Sequence, residues 1–294
     1  MDEKEKMLEK LDERLAKGEI SEELYREIMS RYESDEEEKE IDEEVEMDLE
    51  DVDEGSEEKS ESPKRSSTRE KEEKTKRVSV SGASKIDGCN CEIFKAAGAS
   101  KVNGDLRADD ADVSGATKLN GNVLVGKLDS SGSLKVNGKT EGKELDLSGA
   151  SKFKDDVEVD NIDFSGSFKV KGDVECDTME GSGAVSISGL LKGEEIMLQV
   201  SGKSKIKNIQ GGDVAVESGG SGRFFGFGKS GSLEVENIKG NDIYLENTKA
   251  EKVSGSKVRI GPGCKIENVK AKEIKIHESA KVENKETLED LKKK

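Results

Sequence analysis

The sequence predicts an all-β fold in which a parallel β-helix follows a short α-helical hairpin and a disordered acidic linker. A short motif returns about every 17 residues from residue 81 onward. Glycine is concentrated in the same region, because only Gly18 and Gly55 precede residue 81. Only 31% of the 294 residues are apolar and 3% are aromatic, too few to fill one wide core. Stacked short repeats need only a narrow core, so these observations together predict a solenoid.

The repeated motif has a fixed length and a fixed apolar position. Clear copies such as SGASKIDG, AGASKVNG and SGATKLNG begin at residues 81, 97, 114, 131, 148, 165, 182 and 201. Weaker copies begin at residues 230, 261 and 277. The sixth position is apolar in every copy, from Ile86 to Val282. A constant period of this kind indicates that each repeat forms one structural unit.

Two positions of the motif indicate corners. The eighth position holds glycine, aspartate or asparagine, which tolerate a left-handed backbone. We therefore predict left-handed structural corners there, among them Gly88, Gly104, Gly121, Gly138, Gly172 and Gly189. A second corner is marked by the glycines of the second position, which are Gly82, Gly98, Gly115, Gly132, Gly149, Gly166, Gly183, Gly202 and Gly231. About four to six residues remain between corners, the length of a short strand.

Side chains along a strand point alternately inward and outward, and this alternation on either side of the corners predicts further columns of equivalent residues. Two apolar columns should face inward, one with Leu106, Val123, Val157 and Val174, the other with Leu128, Leu145, Ile162, Met179 and Ile196. Two charged columns should face outward. The fifth position carries Lys85, Lys101, Lys118, Lys135, Lys152, Lys169, Lys205, Lys265 and Lys281, and the sixteenth carries Asp112, Asp129, Asp146, Asp163 and Glu180. Charged strand surfaces discourage lateral pairing of sheets, although a lateral contact in a bundle is the alternative interpretation.

An antiparallel meander competes with the parallel β-helix. Asn103-Gly104, Asn120-Gly121 and Asn137-Gly138 are good hairpin signals. The β-helix is favoured because corner residues recur once per repeat, insertions occur between turns, and apolar columns align with like columns. Roughly twelve turns would stack at ~4.8 Å per turn.

The distribution of charged residues divides the chain into a strongly acidic N-terminal region and a nearly neutral remainder. Residues 1–62 contain 28 acidic and 9 basic residues, whereas residues 63–294 contain 38 acidic and 40 basic ones. Like-charge blocks stay extended, so residues 34–77 are predicted to be a disordered charged linker that serves as a spacer or as an acidic interaction tail. The basic run within residues 64–77 is modest, and no nucleic-acid partner is expected. We assign 78–284 to the solenoid and 285–294 to a short C-terminal helix or tail.

Residues 1–33 have the pattern of a helical hairpin. Met7, Leu8, Leu11 and Leu15 recur at helical spacing, Gly18 supplies a stop, and Ser21 can cap a second helix. The segment LEKLDERLAKGEISEELYREIMSRY resembles the short C-terminal domain family (SHOCT) of prokaryotic helical hairpins. That resemblance implies oligomerisation or partner binding.

The repeat region resembles the bactofilin family of polymer-forming cytoskeletal proteins. The S-G-[SA]-x-K-[VIL]-x-G-[DN]-[VL] units from 81 to 217, the 17-residue period and the charged segment before them carry the resemblance. It implies a right-handed, three-sided β-helix that polymerises end to end without a nucleotide. It also implies a scaffold that works at membranes or with envelope proteins.

No group of residues indicates catalysis. His277 is the single histidine, and one exposed histidine is far more often a surface residue than a general base. Cys89 and Cys91 have no second Cys/His pair at a metal-binding spacing, and Cys91 and Cys176 fit inward apolar positions. The glycine-rich stretches match no phosphate-binding loop. We expect a protein that is not an enzyme and has no metal or cofactor.

Self-association is the function that the sequence favours, with a monomeric β-helical adhesin or ligand-binding module as the alternative. The first strand, with Val78 and Val80, should expose an open end of the solenoid. The insertion at 218–229 carries Phe224, Phe225 and Phe227. These side chains either form a docking surface for a neighbouring subunit, a partner or a membrane interface, or fold back and cap an irregular turn. At the other end, Thr287 can cap a short helix that covers the last turn. The chain start lacks signal-peptide features, so a cytoplasmic location is expected, with or without association with a membrane.

Overall fold

The computed structural model describes residues 74–219 and 231–287, and these residues form an all-β parallel solenoid of about 12 turns. The predicted fold class is thereby confirmed for the solenoid, whereas the hairpin predicted at 1–33 lies outside the described residues. The strands are β1 Thr75–Ser81, β2 Ser84–Ile86, β3 Cys89–Ala97, β4 Ser100–Val102, β5 Leu106–Leu119, β6 Val123–Val136, β7 Thr140–Phe153, β8 Val157–Val170, β9 Val174–Glu175, β10 Thr178–Val200, β11 Lys203–Ser218, β12 Ser232–Lys239, β13 Asp242–Leu245, β14 Thr248–Ile260, β15 Lys265–Ile276 and β16 Lys281–Thr287.

Every pairing between the described strands is parallel, which excludes the antiparallel meander. The strands pair in the order β1-β3-β5-β6-β7-β8-β9-β10-β11-β12-β14-β15-β16, while β2 pairs with β4 and β13 lies between β11 and β14. Each interior strand therefore bonds to its counterparts in the turn before and the turn after. The Asn-Gly pairs do not reverse the chain, because the strands on either side of them run on in the parallel stack.

The register follows the sequence period. Leu119 pairs with Val136, and Val136 pairs with Phe153, so residues at the same motif position stack directly. The spacing shortens toward the end of the chain, where Glu234 and Lys249 are 15 residues apart. The pairing also shows a turn that motif matching missed, between the copies at 230 and 261. Its residue Ala250 takes the sixth position between Val235 and Ile266.

The core is a set of stacked apolar columns. The sixth position is buried throughout the middle turns, and both other predicted inward columns are buried as well. A fourth-position column also faces inward, although its composition is mixed. Phe168 belongs to it and packs on Phe153 and Phe164 with ring centroids 5.7 and 5.1 Å away. The same column buries Ser100 and Thr117, whose hydroxyls make no hydrogen bond within the described residues.

The backbone at the corners differs from the prediction. Left-handed φ values occur at the second-position glycines from Gly82 to Gly202, for example 98° at Gly115 and 127° at Gly132, but not at Gly231. Among the eighth-position glycines only Gly88 has one, at 110°, and Gly104, Gly121, Gly138, Gly172 and Gly189 do not. At these five positions glycine is required because the preceding turn leaves no room for a side chain. A Cβ on Gly121 would lie 2.5 Å from the carbonyl carbon and oxygen of Gly104 in the preceding turn.

Strand lengths and end points also differ from the prediction. The corner glycines of the second position bend the chain without interrupting the ladder, so β5 runs unbroken for 14 residues through Gly115. β1 begins at Thr75, within the predicted linker of 34–77. β16 continues to Thr287, beyond the predicted boundary at 284, and residues 288–294 lie outside the described part.

Candidate self-association surfaces

The two ends of the solenoid carry the apolar residues that pack against the core but are only partly buried, within the part of the chain that the structure describes. Interior turns are covered on both sides and their inward side chains are buried. The apolar residues packed against the core but only partly buried belong to the first and last turns. They are Val78, Val80, Ile86 and Cys89 at one end and Ile274, Ala280 and Val282 at the other. Contact with a partner at either end would therefore remove incompletely buried core residues from water, and this burial of apolar surface favours association.

The N-terminal end is formed by β1 and β2. Val78 and Val80 pair with Phe94 and Ala96 of the next turn, both of which are buried. Among the described strands, β1 has a neighbour on one side only, and so has β2. Their outer N–H and C=O groups form an edge that can accept another strand. Both predicted residues, Val78 and Val80, lie on this edge strand.

The C-terminal end is formed by β15 and β16. Val282 pairs with Ile266, and Ile276 at the end of β15 remains 38% exposed. The sequence of β16, KVENKET, carries four charged side chains, and Glu286 lies 3.7 Å from Lys270 of the turn before. Charges on an edge strand oppose further strand pairing, so β16 is less suited than β1 to pair with another strand.

Side-chain ladders join the turns along one corner. Asn120 donates a hydrogen bond to Asn103 at 3.0 Å and accepts one from Asn137 at 2.7 Å. A second ladder runs beside it, where the Asn122 backbone N–H donates to the Asp105 carboxylate at 2.8 Å. These bonds satisfy several polar groups of the corner, although the buried Oδ1 of Asn137 accepts no hydrogen bond within the described residues.

Ion pairs between turns occupy much of the outer surface. Lys127 bonds Glu144 at 2.9 Å and Asp129 at 3.3 Å, and hydrogen bonds to these carboxylates raise the pKa of Lys127. Lys139 pairs in the same way with Glu158 and Glu141, which raise its pKa. Because these pairs are exposed, each stabilises the fold only slightly.

The cysteines pack as small apolar side chains, as predicted for Cys91 and Cys176. Cys91, Cys176 and Cys264 are buried, and the sulfur atoms of Cys89 and Cys91 are 3.7 Å apart. Burial raises the pKa of Cys176 to about 12, and burial together with Cys91 raises the pKa of Cys89 to about 12. Thiols with such pKa values are protonated at neutral pH and are poor nucleophiles. In residues 74–219 and 231–287, no three His, Cys, Asp or Glu side chains cluster as metal ligands.

His277 lies in the turn between β15 and β16. Its Nδ1 accepts a hydrogen bond from the Ser279 backbone N–H at 3.2 Å and lies 2.9 Å from the Ser279 hydroxyl. The exposed ring thus stabilises its own turn.

No protein-family model, curated protein or solved structure matches this chain. In the described ranges no helix has both the length and the hydropathy needed to cross a membrane. Phe224, Phe225 and Phe227, predicted as a docking or capping group, lie outside the described residues.

Proposed function

We propose that the protein is a non-enzymatic scaffold that self-associates through the ends of its solenoid, in the manner of a bactofilin-like polymer-forming protein. The observation that supports the proposal is that the apolar residues packed against the core but only partly buried belong to the first and last described turns. In this proposal the solenoid is right-handed and three-sided, needs no cofactor, and acts in the cytoplasm. Its partners are copies of itself and proteins of the membrane or envelope.

The proposed contact combines an apolar surface with backbone hydrogen bonds. Joining two ends covers Val78, Val80 and Ile86 and pairs the outer edge of β1 with a second chain. The charged β16 makes the opposite end less suitable. We therefore propose that N-terminal ends pair first and that residues 288–294 cover the C-terminal end and limit growth.

Negative-stain microscopy of the purified chain tests the proposal. Elongated particles that are multiples of one solenoid are the expected result. Isolated single solenoids at every protein concentration would contradict it and favour the alternative, a monomeric ligand-binding module. The observation that favours this alternative is an open acidic groove on the solenoid wall, which could bind a ligand. The groove is lined by Glu141, Glu158, Asp160 and Glu175.

Truncation after Thr287 tests the proposal that residues 288–294 cover the C-terminal end of the solenoid and limit growth. Because β16 ends at Thr287, this truncation leaves the described strands whole. We expect longer assemblies by sedimentation velocity. Particles of unchanged or smaller size would show that residues 288–294 do not limit growth.

A further inference from the structure

Two exposed columns of opposite charge border a groove on the last turns of the solenoid. These turns have lysine at the fifth position and glutamate at the seventh: Lys249 and Glu251, Lys265 and Glu267, and Lys281 and Glu283. All six side chains are exposed, whereas Ala250 and Ile266, at the sixth position between them, are buried. The two columns line a groove of about 450 Å³, hereafter the charged groove. Over these turns it is positive along one side and negative along the other.

Each column of the charged groove stacks like charges. Strand pairing places Lys265 between Lys249 and Lys281 in register, with turns ~4.8 Å apart. The three glutamates follow two residues later in the same turns. Stacked like charges repel one another, and a column of opposite charge placed alongside them lowers that energy.

The chain itself supplies few partners for these charges. In earlier turns Lys127 and Lys139 each contact two carboxylates at 2.9–3.3 Å. Within the described ranges, the charged groove has one ion pair, between Lys249 and Glu234 at 3.2 Å, and no pair involves Lys265 or the three glutamates. Most of its charges are therefore available to a partner.

The order of charges across the charged groove makes this wall complementary to a second copy of itself. A two-fold axis parallel to the solenoid axis places the lysine column of each chain opposite the glutamate column of the other. Three turns then form six Lys–Glu contacts between the chains. A two-fold axis across the solenoid places lysine opposite lysine, so charge complementarity selects the parallel arrangement.

The complementary pattern is confined to the last three turns. The two preceding turns carry Lys205 with Lys207 and Glu234 with Glu236, so each of them has one sign of charge on both sides of the groove. We propose that two chains associate side by side and in parallel through the last three turns of the charged groove. This contact lies on a side wall and does not involve β1, so it does not depend on end-to-end association.

Carbodiimide cross-linking of the full-length chain tests the proposal. Isotope-labelled and unlabelled chains are mixed at high salt and returned to low salt, and the reagent then joins neighbouring lysine amines and carboxylates as amides. A link between a labelled and an unlabelled peptide must join two chains. At about 20 mM salt we expect such links between the lysine and glutamate columns, and about tenfold fewer at about 1 M salt, where the Debye length is about 3 Å.

Charge reversal and charge exchange provide matched variants for sedimentation velocity. The reversed variant replaces the three lysines by glutamate, and the exchanged variant also replaces the three glutamates by lysine. We expect the unaltered and exchanged chains to double in mass on transfer from high to low salt, and the reversed variant not to. The control with the same charge change is Lys143→Glu, Lys239→Glu and Lys272→Glu, at exposed positions outside the charged groove, and it should behave like the unaltered chain.

Two outcomes would overturn the proposal. One is the absence of links between chains joining the two columns at low salt, a result that does not depend on any variant folding. The other is a reversed variant that still doubles in mass at low salt. Apolar end-to-end association persists at high salt, where the charged contact is screened, so the two associations are measured separately.

Discussion

Individual glycines allow consecutive turns to approach closely, because they have no side chain between the two backbones. At Gly121 the backbone φ is outside the left-handed region, and the preceding turn leaves no room for a Cβ. Residue type alone predicted that glycine, asparagine and aspartate would share this position. It did not distinguish a conformational requirement from a steric one, because the distance to the next turn exists only in the folded stack.

Gly121→Ala should lower the free energy of unfolding by about 1–3 kcal/mol or more, since the added methyl group overpacks against fixed backbone atoms. Gly193→Ala is the matched control, because its Cβ would meet side-chain atoms of Ile196 and Cys176 at 3.2 and 3.3 Å. Urea unfolding measures both. Equal stability of the two variants would contradict the steric account.

Burial of Cys176 predicts a dependence of reactivity and stability on pH. The pKa raised to about 12 means that the folded state favours the protonated thiol. Its contribution to stability is fully present below pH 9, the ordinary thiol pKa, and is lost as the pH rises toward 12. At pH 8, iodoacetamide should label Cys176 about a hundredfold more slowly in the native chain than in urea. Comparable rates would show that the thiol is accessible.

At the scale of elements, the asparagine ladder predicts a gradient of stability along the solenoid. Asn120→Ala removes two side-chain hydrogen bonds from an interior turn and should cost about 1–2 kcal/mol. Asn284→Ala removes one such bond, 3.2 Å long, from the last turn and should cost less. Urea unfolding of both variants checks the difference, and a larger loss at Asn284 would contradict it.

The period of the sequence predicted the stacking of turns because equivalent side chains share one environment. The columns through Leu119 and Leu128 were predictable for that reason. The turn around Ala250 was not, since Glu246 and Lys252 stand where the motif has its glycines. The continuous strands were not predicted either. The second-position glycines were expected to separate short strands, whereas the backbone hydrogen-bond ladder continues through them despite their positive φ.

At the scale of the whole molecule, the position of the first turn could be predicted from the sequence, whereas the burial of residues on the outer walls could not. The partial burial of Val78 and Val80 follows from where the repeat begins, because β1 pairs on one side only among the described strands. The burial of Lys135 does not follow from alternation, which assigns each residue to a face but does not show what covers that face.

Sedimentation velocity on Val80→Glu tests end-to-end association most directly. The substitution places a carboxylate on the proposed contact surface, and Leu124→Glu is the control on the side wall, where Leu124 is 50% exposed. The account predicts that Val80→Glu sediments as a single chain while Leu124→Glu assembles like the unaltered protein. A folded Val80→Glu variant that still assembles, or loss of assembly in Leu124→Glu alone, would contradict association through the N-terminal end.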